Sequence, residues 1–330
     1  MKGWADWIDS HKLTSNETGN DMANAQALDA AQQALEALNL KAGQGRGDRA
    51  LFAATNLYYP TERIYGGQLT AQALVAASET ADADKVPESV HATFIKVGRL
   101  DEETRFEVEP LRDGRSFSTR RVDARQGDQL LFTATVSLQK AGQTGVEFSD
   151  EMPADLPAPE TLTSAQDLME PYADKSGFAK YYASQSPFDI RHVGSTVMLA
   201  PDKTSAKADS GKQMVWMRMA SPVAATQTRH RALLALECDQ VMMEPDLRRA
   251  GLSISTPGIF YASIDHAMWF YDDIDMNEWH LYVQDAPVAG HGRALGIARV
   301  YSADGRLLAA MTQEATIRVP EKKSETEKTR

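Results

Sequence analysis

The chain has 330 residues, 42% of them apolar, and a net charge of −11; that is too long for one typical core and suits two domains of roughly 100–150 residues each. The acidic balance argues against nucleic acid or an anionic membrane as a main partner, and no apolar run approaches the roughly 18 residues that cross a bilayer. One cysteine, Cys238, excludes an internal disulfide and a multi-cysteine metal site, so a reduced, cytoplasmic setting is expected.

Residues 1–25 are polar and aperiodic and read as a flexible arm or small capping segment; their opening stretch lacks the apolar run of a signal peptide. Over 26–40, Leu28, Ala31, Leu35 and Leu38 share one face at helical spacing. The run AGQGRGD then breaks that helix. A second helix is expected from Gln68 to Ala81, after the pair Gly66-Gly67, with Leu69, Ala73, Leu74 and Ala77 forming a small-residue face suited to close packing. Alternation over 89–97, 103–111 and 115–139, punctuated by turn signals at 112–114 and 126–128, predicts an antiparallel meander. Residues 141–186, rich in Pro, Asp, Glu and Ser, read as a surface linker with one short helix near 164–171. Strand signals return at PFDIRHV and QMVWMRMAS, a helix is expected over 230–243, and four strands follow around SIDHAMWFY, EWHLYVQDA, GRALGIARVYS and RLLAAMTQEATIRV. The charged tail 320–330 reads as disordered. The expected domains are thus 26–140 and 187–319.

The two halves repeat each other. Residues 112–138 match 290–316 without a gap at an offset of 178 (292 minus 114), which sets Gly114 on Gly292, Arg121 on Arg299, Val122 on Val300, Gly127 on Gly305 and Leu130 on Leu308. His91-Ala92-Thr93-Phe94 matches His266-Ala267-Met268-Trp269 at an offset of 175 (266 minus 91). A repeat at so long an interval indicates duplication of a whole domain. Both halves read as α+β, each with a curved antiparallel sheet wrapped around one long helix. They diverge where chemistry can sit: Thr135 in the first copy falls at the place of Gln313 in the second.

The stretches GGQLTAQALVAAS, HATFIKVG, LRDGRSFSTRRV and SIDHAMWF, with NEWHLYV and TQEATIRV, resemble the acyl-CoA thioesterase II family. The resemblance spans roughly residues 26–319. It implies a double hotdog fold and hydrolysis of acyl-CoA to free acid and CoA without metal or organic cofactor. It also implies further association into a homo-oligomer, a dimer of double hotdogs, with acyl-CoA as the small-molecule partner and neither nucleic acid nor membrane. The family's catalytic Asp, hydroxyl and Gln fall on Asp239, Ser263 and Gln313. Serine stands where threonine is more usual, so the hydroxyl is kept while the stiffness of a β-branched side chain is lost.

Those residue types suit the chemistry. A carboxylate acting as general base on water is worth on the order of 10²–10⁴ in rate. A hydroxyl and an amide can orient the water. Donors at a helix N-terminus can meet the developing oxyanion, and Gly66, Gly67 and Gln68 are the candidates, since glycine permits close approach of a ligand. Arg112 and Arg120 are candidates for CoA phosphates. Arg115 and Arg121 recur as Arg293 and Arg299, which favours a structural role for them. Two other readings remain open. The pair Asp265-His266 invites an enoyl-CoA hydratase-type reading, against which neighbours on a strand point to opposite faces. A non-catalytic acyl-CoA-binding protein is the other. Cys238 reads as a buried, inert thiol.

Overall fold

Twelve antiparallel strands make one continuous sheet in a computed structural model that describes residues 29–202 and 211–319. The expected arm 1–25 and tail 320–330 lie outside the described residues. The first half of the chain supplies β1 (Lys41–Arg46), β2 (Arg49–Ala54), β3 (Lys85–Phe94), β4 (Thr104–Asp113), β5 (Phe117–Gln126) and β6 (Gln129–Lys140). The second supplies β7 (Phe188–His192), β8 (Gln213–Met219), β9 (Phe260–Phe270), β10 (His280–Gly290), β11 (Arg293–Ser302) and β12 (Leu307–Arg318). Their order across the sheet is β1-β2-β4-β5-β6-β3-β9-β12-β11-β10-β8-β7. The second half therefore repeats the first in mirror order about the β3–β9 seam. There Ser89 pairs with Trp269, Ala92 with His266 and Thr93 with Asp265. This is the double hotdog: two α+β units whose sheets fuse edge to edge, each removing the other's exposed edge strand.

Two helices lie side by side under the sheet, α2 (Gly66–Ser78) and α5 (Gln227–Cys238). The first helix, α1 (Ala30–Glu36), is shorter than expected within the described residues and is capped by the Asp29 carboxylate, which accepts from the Gln32 amide at 2.9 Å. α2 is buried from Gly67 to Ala77. The predicted small-residue face is real, but the helix is buried all round, polar Gln68, Thr70 and Gln72 included, because the sheet covers one side and α5 the other. Glycine is required at position 67: a Cβ there would lie 2.8 Å from the Leu236 carbonyl and 3.0 Å from that of Ala235. The start of α2 thus rests directly on the backbone at the end of α5.

Three features depart from the sequence reading. The run expected only to break the first helix supplies most of β1 and the Gly47-Asp48 turn of a β1–β2 hairpin, and that exposed strand lacks the alternation that marks a half-buried one. The helix expected over 230–243 stops at Cys238 and resumes as α6 (Glu244–Arg249) after a turn. Pro245 is tolerated in the first turn of a new helix but would have broken an uninterrupted one. The gap-free match of the two hairpins does not survive as pairing. Arg121 pairs with Thr135, whereas Gly296, not Arg299, pairs with Gln313. The β5–β6 turn is tight, with Gln126 opposite Gln129. The β11–β12 turn is wider and closes through its own bonds, Ser302 N–H to the Arg306 carbonyl at 2.9 Å and Gly305 N–H to the Ser302 carbonyl at 3.0 Å.

The segment 141–186 is more structured than a linker with one helix. It carries α3 (Ala165–Met169), α4 (Gly177–Ser184) and two 3₁₀ turns. Met152, Leu156 and Leu162 cover Trp216 and Trp279, and the Trp279 indole donates to Glu160 at 2.8 Å.

The altered register matters because Gly296 has no side chain. A Cβ at that position would lie 2.6 Å from the Met242 carbonyl, so the turn after α5 packs straight onto β11. Gly296→Ala is expected to lower stability by about 1–3 kcal/mol through overpacking, measured as a lower denaturation midpoint at unchanged slope.

Candidate active site

Asp239 caps the C-terminal end of α5, Ser263 lies on β9 and Gln313 on β12. The tertiary structure brings all three together. The Gln313 amide donates from Nε2 to Asp239 Oδ1 at 2.7 Å and to Ser263 Oγ at 2.5 Å. Ser263 Oγ donates to the same carboxylate oxygen at 3.3 Å. The other oxygen, Oδ2, accepts from the Gly67 N–H at 2.9 Å. Every contact to the carboxylate is a donor, which matches an ionised, acceptor-only group. Gln313 is fully buried, while Asp239 and Ser263 are half-buried. The amide is the deepest member of the cluster, and the carboxylate and hydroxyl keep partial exposure.

A β-bulge makes this convergence possible. β9 and β12 pair in step from Phe270 to Asp265, then the register shifts so that Ala315 faces Ser263. The extra residue, Ile264, re-aims Ser263. Strict alternation would have sent Ser263 and His266 to opposite faces of the sheet; the bulge puts both beside Gln313. β3 carries a comparable shift between Pro87 and Ser89, so the irregularity belongs to both halves.

His266, weighed from sequence as part of a dyad with Asp265, has both ring nitrogens engaged inside the protein. Nδ1 lies 2.8 Å from Gln313 Oε1, and Nε2 lies 3.4 Å from Cys238 Sγ. Burial holds its imidazolium down against the opposing pull of Asp239. Asp265 points the other way and accepts from the Glu314 amide at 3.2 Å. Burial pushes the Cys238 thiol well up, and the Asp239 and Glu237 charges add to it, which disfavours the thiolate a nucleophile needs.

Of the expected oxyanion donors, Gly67 has its N–H on Asp239. Gly66 also abuts the carboxylate: a Cβ there would lie 2.9 Å from Asp239 Oδ2. Gln68 does not join the site. Its buried side chain accepts from the Leu57 amide at 2.8 Å and donates to Asn56 and Gln72 at 3.1 and 3.3 Å, tying the loop before α2 to the helix. Arg120 is likewise taken up by the fold. Its guanidinium donates to Thr80 Oγ1, the Thr80 carbonyl, the Arg112 and Thr119 carbonyls and Asp113, which uses all five of its N–H groups. Thr80 follows the far end of α2, on the order of 20 Å from Gly67 at 1.5 Å per helical residue. Arg112, beside it, keeps an exposed side chain. Arg121 and Arg299 pair with Glu109 and Asp150 respectively, on the sheet and on the linker.

The turn after Asp239 is braced from behind. Gln284 Nε2 donates to the Val241 carbonyl at 3.0 Å, Gln213 Nε2 to Gln284 and Glu244, and His192 Nε2 lies 2.7 Å from Glu244. One buried oxygen in this stretch is not satisfied: Asp246 is 4% exposed and its Oδ2 has no hydrogen-bond partner among the described residues. Burial pushes its carboxyl up to about 7.

Two fused α+β units with their helices side by side under one sheet define a double hotdog. Residues 55–139 match the family model for the acyl-CoA thioesterase N-terminal domain, and residues 153–317 match that for the C-terminal domain. The chain belongs to the double-hotdog acyl-CoA thioesterase II family and is an enzyme of that family. Acyl-CoA thioesterase 2 of Haemophilus influenzae is 32% identical over 267 residues, 78% of this chain and 89% of that one. Human acyl-coenzyme A thioesterase 8 is 29% identical over 84% of this chain and 88% of its own length. Among solved structures, the acyl-CoA thioesterase II TesB2 of Mycobacterium marinum superposes with a TM-score of 0.69 at 31% identity, covering 87% of this chain and 99% of that one.

Two outcomes follow for the residues around the site. Replacing Arg120 by Ala leaves buried carbonyls without donors and is expected to cost about 1–3 kcal/mol of stability, with turnover by the folded protein unchanged. Asp246 has a native pKa near 7 against about 3.9 in an unfolded chain. The folded state therefore binds more protons between those values, and stability falls as pH rises from about 4 to 7. Asp246→Asn removes that loss, so urea titrations should show the variant gaining on the wild type as pH rises through this window and level with it near pH 4.

Proposed function

We propose that this chain hydrolyses acyl-CoA thioesters to a free carboxylic acid and CoA, with the water held by Asp239, Ser263 and Gln313. The observation that carries the reading is the convergence of those three side chains on one another at the junction of α2 and α5. Asp239 takes a proton from the water while its oxygen bonds to the thioester carbonyl carbon. The C–S bond then breaks, and the proton passes to the leaving CoA sulfur. Oδ1 accepts from Gln313 and Ser263 while Oδ2 accepts from the Gly67 N–H, so the acceptor capacity kept for the nucleophile is on Oδ2, with the serine hydroxyl beside it. The carboxylate needs no histidine partner, because a thioester is already an activated electrophile.

The exposed Arg112 is the member of the arginine pair available to a CoA phosphate, whereas Arg120 supports the strand that carries it. A cytoplasmic location fits the single buried cysteine, and among the described residues no helix is long and apolar enough to cross a membrane. Association into a dimer of double hotdogs is proposed from the family alone. The division into domains at 26–140 and 187–319 is proposed from the repeat in the sequence.

Incubation of the full chain with a short- and a long-chain acyl-CoA and a thiol reagent tests the reading. Free CoA is the expected product; hydration of crotonyl-CoA, or tight binding without turnover, would overturn it. Asp239→Asn is expected to lower kcat on the order of 10²–10⁴-fold with the circular dichroism spectrum unchanged. Near-wild-type turnover by that variant would remove Asp239 from the mechanism.

A further inference from the structure

We propose that His266 is a positioning residue for thioester hydrolysis: its Nδ1–H donates to Gln313 Oε1 and so fixes which end of the Gln313 amide faces Asp239 and Ser263. The inference rests on the thioesterase reading of the site and adds a residue to it.

A side-chain amide presents nearly the same shape with oxygen and nitrogen exchanged, so its orientation is decided by its partners. Gln313 works in the cluster only with NH2 toward Asp239 Oδ1 and Ser263 Oγ, at 2.7 and 2.5 Å. Flipped, its oxygen would oppose the carboxylate and leave Ser263 Oγ without that donor. Whatever lies at the other end of the amide therefore selects the productive state. That group is His266 Nδ1, 2.8 Å from Oε1. An imidazole carrying its proton on Nδ1 supports the productive amide, whereas one carrying it on Nε2 presents a lone pair and supports the flipped one. The second ring nitrogen lies 3.4 Å from Cys238 Sγ; the one thiol proton is also accepted by the Ala235 carbonyl at 3.3 Å, and its share toward an unprotonated Nε2 favours the Nδ1–H tautomer. The imidazole and the amide then form a chain of donors ending on the Asp239 carboxylate, with Gln313 and Cys238 fully buried and His266 at 3% exposure.

The duplication supplies an internal comparison. His91 occupies the matching place on β3 and pairs with Thr135, as His266 pairs with Gln313. In that half, where the amide is replaced by threonine, His91 is exposed and meets Trp269 edge-on at 5.3 Å. The buried, doubly engaged histidine accompanies the half that has the amide and the carboxylate.

Two measurements test this. Nitrogen-15 NMR of the intact wild-type chain, with the His266 signal identified by its loss in His266→Asn, should report the Nδ1–H tautomer; an Nε2–H tautomer overturns the proposal. In kinetics, His266→Ala is expected to lower kcat by about 10- to 100-fold with KM little changed. His266→Asn, whose side-chain NH2 can replace the Nδ1 donor, should recover most of that loss. Added to Gln313→Ala, His266→Ala should cost nothing further, because the histidine acts only through the amide. Wild-type kcat in His266→Ala, or losses that multiply in the double variant, would overturn the assignment. Should the alanine variant not fold, an asparagine variant as slow as Gln313→Ala decides against it. Absence of CoA release by the wild-type chain would instead defeat the thioesterase reading and leave the tautomer measurement standing.

Discussion

The contact on which the site depends is the bond between the first turn of one buried helix and a carboxylate at the last turn of its neighbour. Asp239 lies at the C-terminal end of α5, where that helix's own dipole opposes a negative charge. The Gly67 N–H, 2.9 Å away at the start of α2, sets the positive end of the second helix against it. This arrangement requires the two helices to run past each other in close contact, and that requires glycine at 66 and 67. Any side chain there would strike the carboxylate or the backbone of residues 235 and 236. One constraint of backbone approach thus places the Asp239 carboxylate, orients it and compensates its charge.

Duplication explains why such a junction exists within a single chain. Two copies of one unit share an edge, β3 against β9, and lay their helices side by side. The geometry is nearly symmetric, but the chemistry is not. Thr135 stands where Gln313 does, and the end of α2 is capped by an exposed Glu79 rather than by a carboxylate drawn into a donor cluster. The first copy supplies the helix N-terminus, and the second supplies the acid, the hydroxyl and the amide. Arg120 shows the same division of labour: the guanidinium that a sequence reading offers to a phosphate clamps β4, β5 and the end of α2 together within the first copy.

Much of this fold was legible in the residues alone. Alternation and turn signals located most of the strands, and the two offsets, 178 and 175, disclosed the repeat. The β1 strand escaped because its residues are exposed and glycine-rich, so no alternation records its pairing. The end of α5 at Cys238 was hidden by continuing apolar periodicity, although Pro245 marks where an unbroken helix could not continue.

The sequence by itself determined the α+β class, the duplication and, through resemblance, which acid, hydroxyl and amide to examine, because periodicity and residue type are properties of the chain read locally. Only the tertiary structure decided that these groups meet. The bulge at Ile264 turns Ser263 inward, and the three-residue displacement of β11 against β12 sets Gly296 opposite Gln313. Gln68 and Arg120 are drawn into the scaffold, while His266 comes up behind the amide. Register, bulges and the competition of buried polar groups for partners depend on what lies across the sheet, and a one-residue slip reverses the face on which a side chain emerges.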